Sequence, residues 1–328
     1  MRSLVAVSNM WLTPLATNSP FVILGACLIE AMLGYPEPLH RRIPHPVTWL
    51  GNLIGLLEHH FNRADWPDKT RRIAGILSVF IVTSVAGGAG LLLDRILAGS
   101  IWGLAIAAFV GAFGLATRNL YDHISAIADP LSQRDLPAAR QAVGRIVGRD
   151  TATMDESDIA VAATESLAES FNDGVIAPLF WFLIGGLAGL FIYKAVNTAD
   201  SMIGHREERW KAFGWAAART DDVMNFIPAR LAGCLIIAAA AGSGWKTMLR
   251  DASKHASPNS GWPEAAMAGA LGCCLGGLVY YDGVMADRPH LGKGSKPDAE
   301  TLGQSLRLYV RACLLALAIL TAGAVYVS

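Results

Sequence analysis

The sequence predicts an all-α, polytopic integral membrane protein, with about five to seven apolar segments joined by long polar loops that are themselves helical. Three observations carry that expectation. Of 328 residues, 53% are hydrophobic and only 16% charged, against about 25% charged in an average soluble domain. Mean hydropathy is +0.38, and the apolar residues fall in runs, which suits spans better than one large core. Five of those runs, 73–93, 101–117, 174–193, 226–243 and 309–327, approach the ~20 residues that cross a hydrocarbon core. The whole chain, 1–328, reads as a single membrane-embedded unit.

Taken in order, 21–34 is a short apolar segment carrying Glu30, and 265–281 is apolar but interrupted by glycines. Either is able to span, tilt or re-enter. Glycines recur in the apolar runs (Gly87, Gly88, Gly90, Gly111, Gly114, Gly185, Gly186, Gly189), where small residues let helix backbones approach in lipid. Segment 135–149 places Ala139, Val143, Ile146 and Val147 on one face, the pattern of an amphipathic surface helix. The first twenty residues lack the sustained apolar run and small-residue cleavage site of a signal peptide.

Loop charge sets an orientation. Segment 37–72 carries six Lys or Arg, 94–100 one, and 118–173 five, so the first and third face the cytoplasm by the positive-inside rule. Strict alternation then puts 194–225 outside, although it too is basic (Lys194, Arg206, Arg209, Lys211, Arg219). The conflict disappears if 174–193, with Pro178 and the Gly185-Gly186 pair, does not cross fully. The polar regions 118–173, 194–225 and 245–306 together exceed 140 residues, more than a simple channel needs. Absence of repeated halves weighs against an inverted-repeat transporter. The zero net charge argues against a nucleic-acid partner, and the cysteines all lie in apolar stretches, where a thiol packs as a small hydrophobe.

Four clusters could carry chemistry. In ESLAESFNDGV, Glu165, Glu169 and Asn172 share one helical face, with Asp173 just beyond; a Mg²⁺ ion would relieve the repulsion between the two carboxylates, and a solvated face is the plain alternative. In YKAVNTADSMIGH, Lys194, Asn197 and Ser201 share a face near Asp200, suited either to a phosphate or to a lipid-interface anchor. In ARTDDVMNFIPARLAG, Arg219, Asp221, Asp222, Asn225 and Arg230 fall within twelve residues, as ion pairs or as a metal and phosphate clamp. In SPNSGWPEAAMAGALG, a Pro- and Gly-shaped turn presents Asn259 ahead of a helix with Glu264 in its first turn. No histidine falls in a ligand motif.

Six ordered motifs, HPV at 45–47, GRDT at 148–151, ESLAESFNDGVIAPLFW at 165–181, YKAVNTADSMIGH at 193–205, ARTDDVMNFIPARL at 218–231 and SPNSGWPEAAMAGALG at 257–272, resemble the CobD/CbiB family, adenosylcobinamide-phosphate synthase. The likeness runs from about residue 25 to 315. Two departures stand out: Gly34, Tyr35 and Pro36 where many members have an acidic GDP turn, and Glu169, Ser170, Phe171 where many have ENF. The resemblance implies an ATP- and Mg²⁺-dependent synthesis of an amide from adenosylcobyric acid, a corrinoid, and (R)-1-amino-2-propanol or its O-phosphate. It implies a multi-pass protein of the inner (cytoplasmic) membrane with the active site on the cytoplasmic side, open to association with other enzymes of cobalamin assembly. On that reading Glu165, Glu169, Asp221 and Asp222 hold Mg²⁺, and Lys194, Arg219 and Arg230 hold phosphates. Asn172, Asn197 and Asn259 orient substrate amides, with Asp200, Ser201 and Asn225 lining the site. Asp173 or Glu264 accepts the amine proton. A corrinoid transporter and a non-catalytic sensor like the ampicillin-resistance branch are the rival classes.

Overall fold

The computed structural model describes residues 16–34, 45–281 and 283–327. Tyr35, Pro36 and Asp282 lie outside the described residues.

Helix boundaries follow local chemistry. Helix α1 (Pro20–Leu33) opens on a proline, whose missing N–H costs nothing at the first helical position. In α2 (Pro46–Phe61) the His45 ring nitrogen accepts the Val47 N–H at 3.3 Å. Helix α3 (Asp68–Leu97) is the long apolar rod foreseen around 73–93. Ser100 caps α4 (Ile101–Ala112) through the Gly103 N–H at 2.9 Å, and after a four-residue break α5 (Thr117–Ser132) continues. The short α6 (Leu136–Val143) buries Ala139 and Val143 in the main core; its apolar face is spent on protein, not on the surface expected for 135–149. Asp155 and Asp158 form a reciprocal capping box at the start of α7 (Glu156–Phe171). A π turn, Asn172–Ile176, joins α7 to α8 (Ala177–Ile203).

By length and composition, four helical stretches can cross a membrane among the described residues: Asp68–Leu97, Ile101–Ser132, Glu156–Ile203 and Ala299–Tyr326. A fifth is the bent pair α9 (Trp215–Met224) and α10 (Phe226–Ala239), which meet at 48°.

The 48-residue stretch Glu156–Ile203 is not one rod. Gly185 and Gly186 leave helical geometry, Gly186 at φ 59° and ψ −150°, a region essentially restricted to glycine. Beyond them the chain folds back: Gly189 packs on the Trp181 carbonyl, and the Tyr193 hydroxyl lies 3.3 Å from the Asp173 carbonyl, twenty residues upstream. The returning arm starts at Leu187, where the buried Asp94 carboxylate accepts the N–H groups of Leu187 (3.1 Å) and Ala188 (3.2 Å) and the Thr17 hydroxyl as well. A carboxylate there satisfies orphan donors and meets the positive helix end. Segment 174–193 is therefore a helical hairpin, and the basic segments on either side of it emerge at the same end of the molecule.

Segment 265–281 does not span either. It splits at Gly272 (φ +67°) into α12 (Gly261–Leu271), which follows α11 (Trp245–Asp251), and strand β1 (Cys274–Tyr281), paired antiparallel with β2 (Val284–Gly292). This ribbon is the departure from an all-α fold. The last helix, α13 (Ala299–Val327), packs Tyr309 edge-on against Phe171 at 5.6 Å. One large core cluster joins α1, α4 to α8 and α10 to α13, with Leu97 at the end of α3.

Candidate active site

Three elements converge on one polar crevice because of two local irregularities. The π turn, an irregularity common at functional sites, carries Asn172 and Asp173, and Asn172 lies seven residues, about 10 Å, further along the axis than Glu165. The reversal at Gly185-Gly186 then returns Tyr193, Lys194, Asn197 and Asp200 to the same level. Helix α9 adds Asp221, Asp222 and, at the bend, Asn225.

Direct contacts tie the inner residues together. The Asn172 amide donates to Asp173 (2.7 Å) and to the Asn225 carbonyl oxygen (2.9 Å), which also accepts from the Tyr193 hydroxyl (3.1 Å). Asn225 in turn donates to Asp221 at 2.9 Å. The Asn197 amide reaches both Asp173 and Asp221 at 3.4 Å. Lys194 lies in the field of those same two carboxylates, and Asn172 and Asn225 are buried. Amides thus hold the two aspartates in place without neutralising them.

The rim is charged. Asp222 pairs with the half-exposed Arg219 at 3.0 Å. Glu169, exposed, accepts from the Ser260 hydroxyl at 2.8 Å and lies in electrostatic range of Asp173, Asp200 and Asp221. The Asp200 carboxylate folds against Gly204, while Ser201 is exposed and spends its hydroxyl on the Asn197 carbonyl at 2.9 Å. Asn259 stitches the rim to the α12 entry: it donates to the Asp222 carbonyl (2.8 Å) and accepts from Arg230 (3.0 Å). Arg230 is further held over the Phe226 and Trp262 rings, 3.7 and 4.6 Å from their centroids, so it serves the rim architecture first.

Glu165 and Glu264 belong to a second cluster on the other side of Glu169. One Glu165 oxygen accepts the Gly276 N–H at 2.8 Å; the other meets Arg288 at 2.6 Å and also Arg149. These donors engage both oxygens and leave Glu165 poorly disposed to hold a cation. Arg288 extends to His255 at 2.9 Å and to Glu264 at 3.5 Å, and Glu264 is buried with no hydrogen bond to either oxygen. Burial, reinforced by the Glu165 charge and opposed by Arg288, holds the Glu264 carboxyl well above the usual range. Burial and the Arg288 charge push His255 down, towards its neutral form.

The structure therefore brings Asn172, Asp173, Asn197, Asp221 and Asn225 into contact, places Lys194 in the field of the two aspartates, ranges Glu169, Asp200, Asp222 and Arg219 at the mouth, and sets Glu165 and Glu264 apart. Sequence reasoning assigned no role to Tyr193, Arg149, His255 or Arg288. Tyr193 and Arg149 lay inside the quoted motifs; Arg288 meets a partner 123 residues away, which no spacing rule detects. Among the described residues no three His, Cys, Asp or Glu side chains form a ready-made metal site. The Asp173 and Asp221 pair nonetheless fits the share of ligands that Mg²⁺ takes from protein, one or two carboxylates, with water and phosphate completing the shell.

Fold and crevice define a multi-pass helical membrane protein with a carboxylate- and amide-lined polar site set into one end of its helices. The family model for the CobD/Cbib protein matches residues 23–309, and the chain belongs to the CobD/CbiB family. It is 44% identical over 299 residues to the cobalamin biosynthesis protein CobD of Rhodobacter capsulatus, covering 90% of this chain and 94% of that one. It is 42% identical to the proteins of the same name from Geobacter metallireducens (92% and 96% covered) and a Sinorhizobium species (89% and 94%). No solved structure matches.

Proposed function

We propose that the protein is a cobalamin-biosynthetic enzyme of the inner membrane, an ATP-dependent ligase that joins (R)-1-amino-2-propanol or its O-phosphate to the free propionate of adenosylcobyric acid. Family membership supports the pathway. The observation that carries the chemistry is the convergence of Asp173, Lys194, Asn197 and Asp221 from three elements in one crevice. The basic segments at its mouth support a cytoplasmic opening.

A carboxylate is a poor electrophile, and phosphorylation repairs that. A propionate oxygen attacks the γ-phosphorus of ATP, the bond to the bridging oxygen breaks, and ADP leaves with that electron pair. The amine then attacks the acyl carbon, inorganic phosphate departs, and a protein carboxylate takes the amine proton. Such chemistry asks for positioning and charge stabilisation more than for a protein nucleophile. Bound Mg²⁺ would screen the phosphate oxygens, with Asp173 and Asp221 as its protein ligands and Glu169 and Asp222 in reach at the rim. Lys194 and Arg219 hold phosphate oxygens. The amides of Asn197 and Asn225 keep the two aspartates from moving as charge develops, and the exposed Glu169 carboxylate at the rim accepts the amine proton, a role closed to Glu264, which is buried, protonated and set apart from the crevice.

Isotope transfer tests the route. With ¹⁸O in the substrate carboxylate, one label in the released inorganic phosphate is the expected result; label in AMP, or amide formed without ATP cleavage, overturns it.

A further inference from the structure

The β1–β2 ribbon carries an apolar, tyrosine-bearing end that the crevice does not use: Leu278, Tyr280, Tyr281, Val284 and Met285 are all exposed, Val284 at 69%. The ribbon itself is firmly held. Asp150 accepts the Gly283 N–H at 2.7 Å and donates its own N–H to the Tyr280 carbonyl at 2.9 Å. Glu165 fixes Gly276 and Arg288 in its middle, and Asp251, itself bound by Arg250 and Lys254, accepts the Gly292 N–H at 2.9 Å at its base. An apolar end fixed so rigidly is presented to something.

Its depth identifies the occupant. Glu165 lies twenty residues before Gly185, which at 1.5 Å per residue is about 30 Å along the helix, the thickness of a hydrocarbon core. With the Gly185-Gly186 turn at one face of the bilayer, the ribbon docks at the other. It also advances towards the bilayer: Leu275 packs with Val161, and the next residue, Gly276, binds Glu165, one turn nearer the span. Continuing in that direction, its end enters the headgroup zone, where tyrosines flanked by aliphatic side chains partition favourably. The apolar surface of α3 and α13, exposed at Phe80, Leu91, Leu314 and Ile319, already faces the same lipid.

We infer that the exposed apolar side chains at the end of the β1–β2 ribbon, Leu278, Tyr280 and Tyr281 on one strand and Val284 and Met285 on the other, form a membrane-interface anchor that inserts among phospholipid headgroups on the crevice side of the bilayer. The ribbon also carries Arg288, so anchoring it fixes the roof of the second cluster against α7.

The test uses the native chain in lipid nanodiscs containing a phospholipid with a photoreactive group near the glycerol, followed by peptide mass spectrometry. Adducts within 278–285, alongside those on α3 and α13, are expected. Adducts on both helices but none on 278–285 overturn the inference. A second measurement labels Val284→Cys with an environment-sensitive fluorophore: quenching by shallow nitroxide lipids with protection from iodide is expected, and the reverse pattern overturns it.

Discussion

Glu165→Gln separates a structural carboxylate from a metal ligand. The wild-type side chain is buried, with Arg288 and Arg149 on one oxygen and the Gly276 N–H on the other. The amide keeps the shape but loses the charge and one acceptor, leaving Arg149 buried and Arg288 mostly so with no full countercharge. Removing one partner of a buried pair costs about 3–5 kcal/mol, and the retained amide contacts place this variant near the lower figure. At roughly 2–4 °C per kcal/mol, the unfolding midpoint in detergent should drop by on the order of 10 °C. Limited proteolysis should cut first in the ribbon, which loses its middle attachment. Scanning fluorimetry at several Mg²⁺ concentrations is the assay: the deficit should persist at every concentration. A variant as stable as wild type that needs more Mg²⁺ to turn over would refute this reasoning and return Glu165 to the metal site.

Other outcomes follow from the same geometry. Burial raises the Glu264 carboxyl, so the folded chain binds this proton more tightly than the unfolded one, and its contribution is lost as pH rises above the ordinary glutamate range; midpoints across pH 4–9 should fall less steeply in Glu264→Gln, and identical slopes would refute the assignment. Gly186→Ala forces a Cβ into a φ of +59° and to 2.7 Å from the Thr17 hydroxyl, which should destabilise by about 1–3 kcal/mol in urea titration in detergent; an unchanged midpoint would contradict the helical hairpin. Asn225→Ala removes a hydrogen bond that orients Asp221 and should raise the Mg²⁺ concentration for half-maximal turnover by about 10-fold. Lys194→Met should lower turnover by about 10²-fold or more while leaving the unfolding midpoint near wild type.

Much of the fold was legible because lipid imposes a length and a composition on a span. The runs at 73–93 and 309–327 became α3 and α13, and the charge conflict around 194–225 pointed to the chain reversal at Gly185-Gly186. Segment 265–281 misled because hydropathy does not distinguish a buried helix followed by a strand from a broken span, and a positive φ at Gly272 settles the matter. Within the site, residues on one helix face were easy to group, yet Glu165 and Asn172 serve different clusters: seven residues put about 10 Å of helix between them, and Glu165 meets Arg288 while Asn172 meets Asn225. The second cluster was illegible because Arg149, Glu165, His255, Glu264 and Arg288 meet only through tertiary packing.

The central claim is amide synthesis in the crevice, and the direct measurement is mass spectrometry of the corrinoid after incubating the purified protein in detergent with adenosylcobyric acid, ATP, Mg²⁺ and, separately, aminopropanol and its phosphate. The account predicts a mass gain matching one donor less water, with stoichiometric ADP, abolished by Asp221→Asn. Folded, corrinoid-binding protein that forms no amide with either donor would contradict it.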